Sequence, residues 1–199
     1  LVPLVAVTAT SFLKISAVLL ILRNAIGVQQ VPSNMVLYGI SMVITLLVMG
    51  PVLQDASQKF APEGNLPGNG TEMISAIGSA IPPFKVFMLK HTNPDYHDSF
   101  YQTSLRISEK YQAPELDRND LTVVLPAFVA SELSEAFRLG LYLYLPFVII
   151  DLAVSSALMA LGMMMVSPMS LTVPAKILLF VAVEGWAKVF SGLISSYGV

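Results

Sequence analysis

Cysteine is absent from this 199-residue chain. That excludes a disulfide framework, a thiolate metal site and a cysteine nucleophile, and it removes redox chemistry as a guide to compartment. Charge is nearly as scarce, since Asp, Glu, Lys and Arg make up only 12% of the residues, against roughly 25% in an ordinary soluble domain. So thin a charged surface excludes a well-solvated monomer. The net charge of −2 leaves no basic footprint, so nucleic acid is not an expected partner. Histidine occurs twice. His91 and His97, with Asp95 and Asp98, match no familiar metal-ligand spacing, and neither a metal nor another cofactor is expected. The chain also lacks a phosphate loop, an H-E-x-x-H zinc helix and a G-x-S-x-G nucleophile elbow. An intramembrane aspartyl protease needs two carboxylates sharing a proton, and the long apolar run of the second half holds only Asp151. An enzyme is not expected.

Apolar residues, by contrast, reach 55%. That much apolar surface must be buried, which excludes disorder and points to a membrane or to a large hydrophobic assembly. The few charges are unevenly placed. Residues 1–54 carry only Lys14 and Arg23, residues 55–120 carry 15 of the 24 charges, and residues 121–199 carry seven. The expected organisation is an apolar helical hairpin over 1–54, a polar helical extramembrane insert over 55–120, and a second apolar hairpin with a Met-rich loop over 121–199. The apolar runs are too long for strands and do not alternate, so the fold class is all-α.

Local signals give the breaks. The first helix ends at Arg23-Asn24, and Gly27 through Pro32 forms a turn. Ser33 or Asn34 caps a second helix beginning at Met35, for which Gly50-Pro51 is the expected stop. Residues 61–71 read as a loop rich in Gly, Pro and Asn. Glu72–Lys90 and Pro94–Tyr111 read as helices, the first interrupted or restarted at Pro82-Pro83. Pro126 suits a first helical turn. A second break runs from Gly162 to Pro168, before Pro174 and a final apolar helix through Gly185-Trp186. Hydropathy alone gives four spans. The halves also share a weak repeat: Lys14, Gly27 and Val31-Pro32 in one, and Asp151, Gly162 and Val166-Ser167-Pro168 in the other.

Lys14 and Asp151 are isolated charges in apolar runs. Such residues face protein or water and find a partner, which gives either an ion path or a structural ion pair within the chain or between subunits. One acid and one base do not make a pump, so the structural pair is the preferred reading. Glu132, Glu135 and Arg138 fall three apart on one polar stripe, and Glu132 and Arg138 are further candidates for charge pairing. Five of the ten methionines lie between Met159 and Met169. Flexible thioethers adapt to irregular surfaces, so this cluster is either ordinary core filling or a compliant seal, and composition leaves both open. Met35, Met42 and Met49, seven apart, suggest a packing seam.

Several stretches are more specific. Thr10-Ser-Phe-Leu-Lys14 and the block Leu22-Arg-Asn-Ala-Ile-Gly-Val-Gln-Gln-Val-Pro-Ser-Asn-Met35 resemble the first signature of the FliP/SctR family. So do Leu125-Pro-Ala-Phe128, Ser131-Glu-Leu133, Ala136-Phe137, Tyr144-Leu-Pro-Phe147 with Asp151-Leu152, Leu158-Met-Ala-Leu-Gly-Met-Met-Met-Val-Ser-Pro168, and Phe180 through Gly185-Trp186. They are spread over both apolar halves, about 130 residues in all, while the insert carries little of the likeness. Glu184 departs from the Asp that the family often has there. The wording of the motifs is closer to the injectisome branch than to the flagellar one. This resemblance implies a core export-gate subunit of a type III secretion system in the bacterial inner membrane. In such assemblies five copies join SctS-like and SctT-like partners, alongside SctU-like and SctV-like components, in a helical ring raised toward the periplasm, where the insert would also lie. The implied cargo is unfolded secreted protein. Matched to the family's constriction loop, Met163, Met164 and Met165 become gasket candidates. Two further readings stand beside it: a small-molecule or ion transporter with midplane charges, and a passive membrane scaffold.

Overall fold

The computed structural model describes residues 7–28, 31–62, 68–163 and 165–198. Among them every regular element is a helix: α1 Phe12–Ile26, α2 Asn34–Phe60, α3 Gly70–His91, α4 Pro94–Tyr111, α5 Leu121–Ala160, α6 Met169–Ala182 and α7 Gly185–Ser195. Three of them, α2, α3 and α5, are long and apolar enough to cross a membrane. The pair α6 and α7, bent by 64°, adds a fourth span if counted as one. This is a membrane protein. The count of four agrees with hydropathy, but its members differ, because α3 lies in the segment expected to be polar.

Two expected breaks do not occur. Helix α2 continues through Pro51 to Phe60, and α3 continues through both Pro82 and Pro83. A proline inside a helix costs about 3 kcal/mol through a lost hydrogen bond and a ring clash. Unwinding would instead leave several backbone groups unpaired in apolar surroundings, each costing several kcal/mol. Continuing the helix is the cheaper course.

The burial pattern of α2 explains why hydropathy carries no period there. It buries Leu37, Ser41, Ile44, Thr45, Val48 and Met49 while Met35, Met42, Val43, Leu46 and Leu47 stay exposed. All faces are apolar, yet only one is covered. The expected Met seam is therefore corrected, since Met35 and Met42 are exposed and Met49 is buried. A helix drifts about 20° per seven residues, enough to carry the series across the edge of the buried stripe.

The chain divides into two compact units. The first comprises Leu1–Leu13 and Thr45–Ser134. Its core includes Phe87, Met88, Val123, Val124, Ala127 and Phe128, with the Phe87 and Phe128 rings edge-to-face at 5.9 Å. Asn93 caps α4 by accepting from the Asp95 N–H at 2.8 Å, as its place before Pro94 predicts. Its own N–H donates to Ser131 Oγ on α5 at 2.9 Å. The segment after α4 is held by an ion pair of Arg118 with Asp98 and by His97 Nε2 donating to the Arg118 carbonyl at 3.0 Å.

Asp120 caps α5, its carboxylate accepting from the Thr122 N–H at 3.0 Å and the Thr122 hydroxyl at 2.9 Å. These bonds hold its pKa below 3.8, the ordinary value for the group. A depressed acid stabilises the fold above its unfolded pKa, and the contribution is lost as pH falls through the lower folded value. Asp120→Ala is thus expected to speed amide exchange at Thr122 near neutral pH. That difference from the parent should shrink as pH falls below 3.8. A difference independent of pH would show that the carboxylate charge plays no part.

The second unit comprises Lys14–Ile44 and Glu135–Val199. Lys14 meets Glu135 near the start of α1, Ile21 packs against Gly140, and Ala25 shares Lys176 with Asp151. Residue numbers rise together along both elements, so α1 and the second part of α5 run parallel. A Cβ on Gly140 would lie 2.6 Å from Ile21 Cδ1, which is why this approach uses glycine. Helix α6 runs back antiparallel, placing Val173 beside Gly27 and Phe180 beside Phe147. The C-terminal ends of α1 and α5 and the N-terminal end of α6 therefore occupy one end of this unit.

Candidate functional site

Two lysines are buried in the second unit, and both are paired. Lys14, fully buried, donates to Glu135 Oε2 at 2.9 Å and lies 3.9 Å from the centroid of the Tyr197 ring. A cation over an aromatic face is a favourable contact. Lys176 donates to Asp151 Oδ2 at 2.6 Å and to the Ala25 carbonyl, on the last turn of α1, at 3.1 Å. One ammonium thus ties α6 to α5 and to α1.

The candidate charges fare differently from one another. Lys14 and Asp151 each have an ion-pair partner, but not each other. Glu132 is fully buried. Arg138 is exposed and forms no ion pair with a described residue. The two partners, Glu135 and Lys176, were not singled out by sequence reasoning. The signal was available for Lys176: the apolar run around Asp151 ends at that lysine, and an isolated acid in such a run needs a base.

The turn between α5 and α6 carries the methionines. Helix α5 closes with a Schellman motif, in which the Met163 N–H donates to the Leu158 carbonyl at 3.0 Å and the Gly162 N–H to the Met159 carbonyl at 3.1 Å. Gly162 has φ +72°, the left-handed region that glycine enters without strain. Helix α6 then begins after Pro168, whose carbonyl accepts from the Thr172 N–H at 2.9 Å. Between these fixed ends Met165 is fully exposed, and Met163, Leu161, Met159 and Met169 are substantially so. Met164 lies outside the described residues. Residues 152–175 contain no charged side chain. An apolar, compliant, uncharged tip can close against other apolar surfaces and deform around a passing object; it offers nothing for acid–base or metal chemistry. No group of three metal-binding side chains exists among the described residues.

Comparison with known proteins adds the remaining information. The FliP family matches residues 1–193. The harpin secretion protein HrcR of Erwinia amylovora is 44% identical over 197 residues, covering 99% of this chain and 91% of that protein. The Yop proteins translocation protein R of Yersinia pestis is 40% identical over 199 residues, covering 100% and 91%. The surface presentation of antigens protein SpaP of Salmonella typhimurium is 35% identical over 204 residues, covering 99% and 91%.

Proposed function

Since the chain belongs to the FliP family, we propose that it is a subunit of a type III secretion export gate, through which unfolded proteins leave the bacterial cytoplasm. Relatives named for the secretion or translocation of proteins span nearly its whole length, which supports that reading. In it, five copies form a ring with SctS-like and SctT-like subunits. The ring sits in the inner membrane and is raised toward the periplasm, next to SctU-like and SctV-like components. Met163, Met164 and Met165 form the gasket.

The observation that carries the reading is the Met-rich tip, apolar and exposed in the single subunit yet held between two well-formed helix ends. Large exposed apolar patches mark interaction surfaces. The transporter alternative finds no support: Asp151, its sharpest midplane charge, is already paired with Lys176.

Two measurements test the proposal. Native mass spectrometry of the full-length protein in mild detergent should show five copies that add the SctS-like and SctT-like subunits; a monomer or dimer that ignores them counts against the ring. Replacing Met163, Met164 and Met165 together with Ala should raise ion leak through the assembled complex several-fold. Unchanged leak in a complex of normal composition would overturn the gasket.

A further inference from the structure

We infer that Val31, in the turn between α1 and α2, and Met35, at the start of α2, form a second apolar part of the same constriction rim. The inference rests on the export-gate reading and extends it to residues outside the Met turn. Three observations lead there. First, α1 and the second part of α5 run parallel, so their C-terminal turns share one end of the unit. Gly27 and Val173 are in near contact, a Cβ at Gly27 falling 3.2 Å from Val173 Cγ2. Val173 lies one helical turn beyond Met169, which begins α6. The two tips therefore adjoin.

Second, the first tip is as firmly built as the second. Gly27 takes φ +87°, and its N–H donates to the Asn24 carbonyl at 3.1 Å. Arg23 reaches across the turn to the Pro32 carbonyl and to Asn34 Oδ1. Ser33 caps α2, its hydroxyl accepting from the Val36 N–H at 3.5 Å. Lys176 holds the Ala25 carbonyl from the side. Every polar group named here is turned to bracing the loop, while Val31 is 73% and Met35 84% exposed. A braced turn that holds a β-branched residue and a Met in the open meets no need of the isolated fold.

Third, the sequence repeat takes on a physical meaning. Gly27 and Gly162 are two left-handed glycine stops, followed by Val31-Pro32 in one case and Val166-Ser167-Pro168 in the other, at one end and without formal charge between them and the following helix.

The absence of native cysteine allows a direct test. Val31→Ser with Met35→Ser, in the assembled complex and with the Met turn intact, should raise ion leak several-fold. Both side chains are exposed, so folding and assembly should survive, and native mass spectrometry checks that they do. Separately, Met35→Cys treated with a charged thiol reagent should change the leak, whereas Ile149→Cys, exposed midway along α5, should not. If the alanine triple leaks but the serine pair does not, and modification at position 35 changes nothing, the second rim is overturned and the gasket stands. If the serine pair leaks and the triple does not, the gasket falls and the second rim stands. If neither leaks, both fall.

Discussion

Replacing Glu135 with Ala is expected to destabilise the folded chain by about 2–4 kcal/mol, read as a fall of several degrees in the unfolding temperature of the detergent-purified protein. Removing one partner of a fully buried ion pair costs about 3–5 kcal/mol because the remaining charge loses compensation in a poor solvent. Glu135 is 35% exposed, so water reaches that side of the pair and the expectation is set lower. The Tyr197 ring remains beside Lys14, but a cation–π contact of about 0.5–2 kcal/mol does not replace a carboxylate. The reverse change, Lys14→Met, should cost less, since Glu135 can hydrate. Combining Lys14→Met with Glu135→Leu should recover most of the loss, as apolar replacement of whole buried pairs does elsewhere. Equal losses for the two single variants would contradict the asymmetry on which the argument rests.

Gly185→Ala is the second large effect. A Cβ there would fall 2.2 Å from Phe180 Cε2 and 2.3 Å from Cδ2, inside any tolerable contact. Phe180 cannot swing away freely. Its ring packs on Phe147 at 6.4 Å and edge-on to Trp186 at 5.2 Å, and Trp186 in turn neighbours Phe190 at 5.6 Å. This row of rings braces the bend at Glu184, which has φ +53°. Overpacking of this kind typically costs about 1–3 kcal/mol, and here the 64° angle between α6 and α7 must open to relieve it. The expected result is lower thermal stability with altered tryptophan fluorescence from Trp186, the only tryptophan. Adding Phe180→Leu should restore much of the stability. A Gly185→Ala protein with parental stability and emission would remove the steric argument.

Much of this was legible from the residues. Helical content followed from long apolar runs without alternation, and the turns after Gly27 and Gly162 and the cap at Ser33, one of two candidates, followed from side-chain chemistry acting over a few residues; the first helix runs on past Arg23-Asn24 to Ile26. Pro51 and Pro82-Pro83 misled because the rule for proline is calibrated where water can take up a broken helix end. Ion-pair partners were harder. Glu132 and Glu135 stand three apart on one stripe, and sequence alone does not show that Glu135 reaches Lys14; the parallel packing of α1 on α5, with Gly140 beneath Ile21, brings it there. The buried face of α2 left no trace in the pattern, because surfaces bound for lipid or for another subunit are as apolar as a core.

The parallel arrangement has an electrostatic consequence. Peptide dipoles put roughly half a positive charge at a helix N-terminus and half a negative charge at its C-terminus. At the tip end of the second unit, α1 and α5 bring two negative ends while α2 and α6 bring two positive ones. The four partial charges cancel to first order, and the formal charge nearest the first turn is that of Arg23, which reaches across it to the Pro32 carbonyl and Asn34 Oδ1. On the export-gate reading proposed above, the tip then discriminates by bulk and by wetting, with the Arg23 guanidinium as the formal charge held at the first turn.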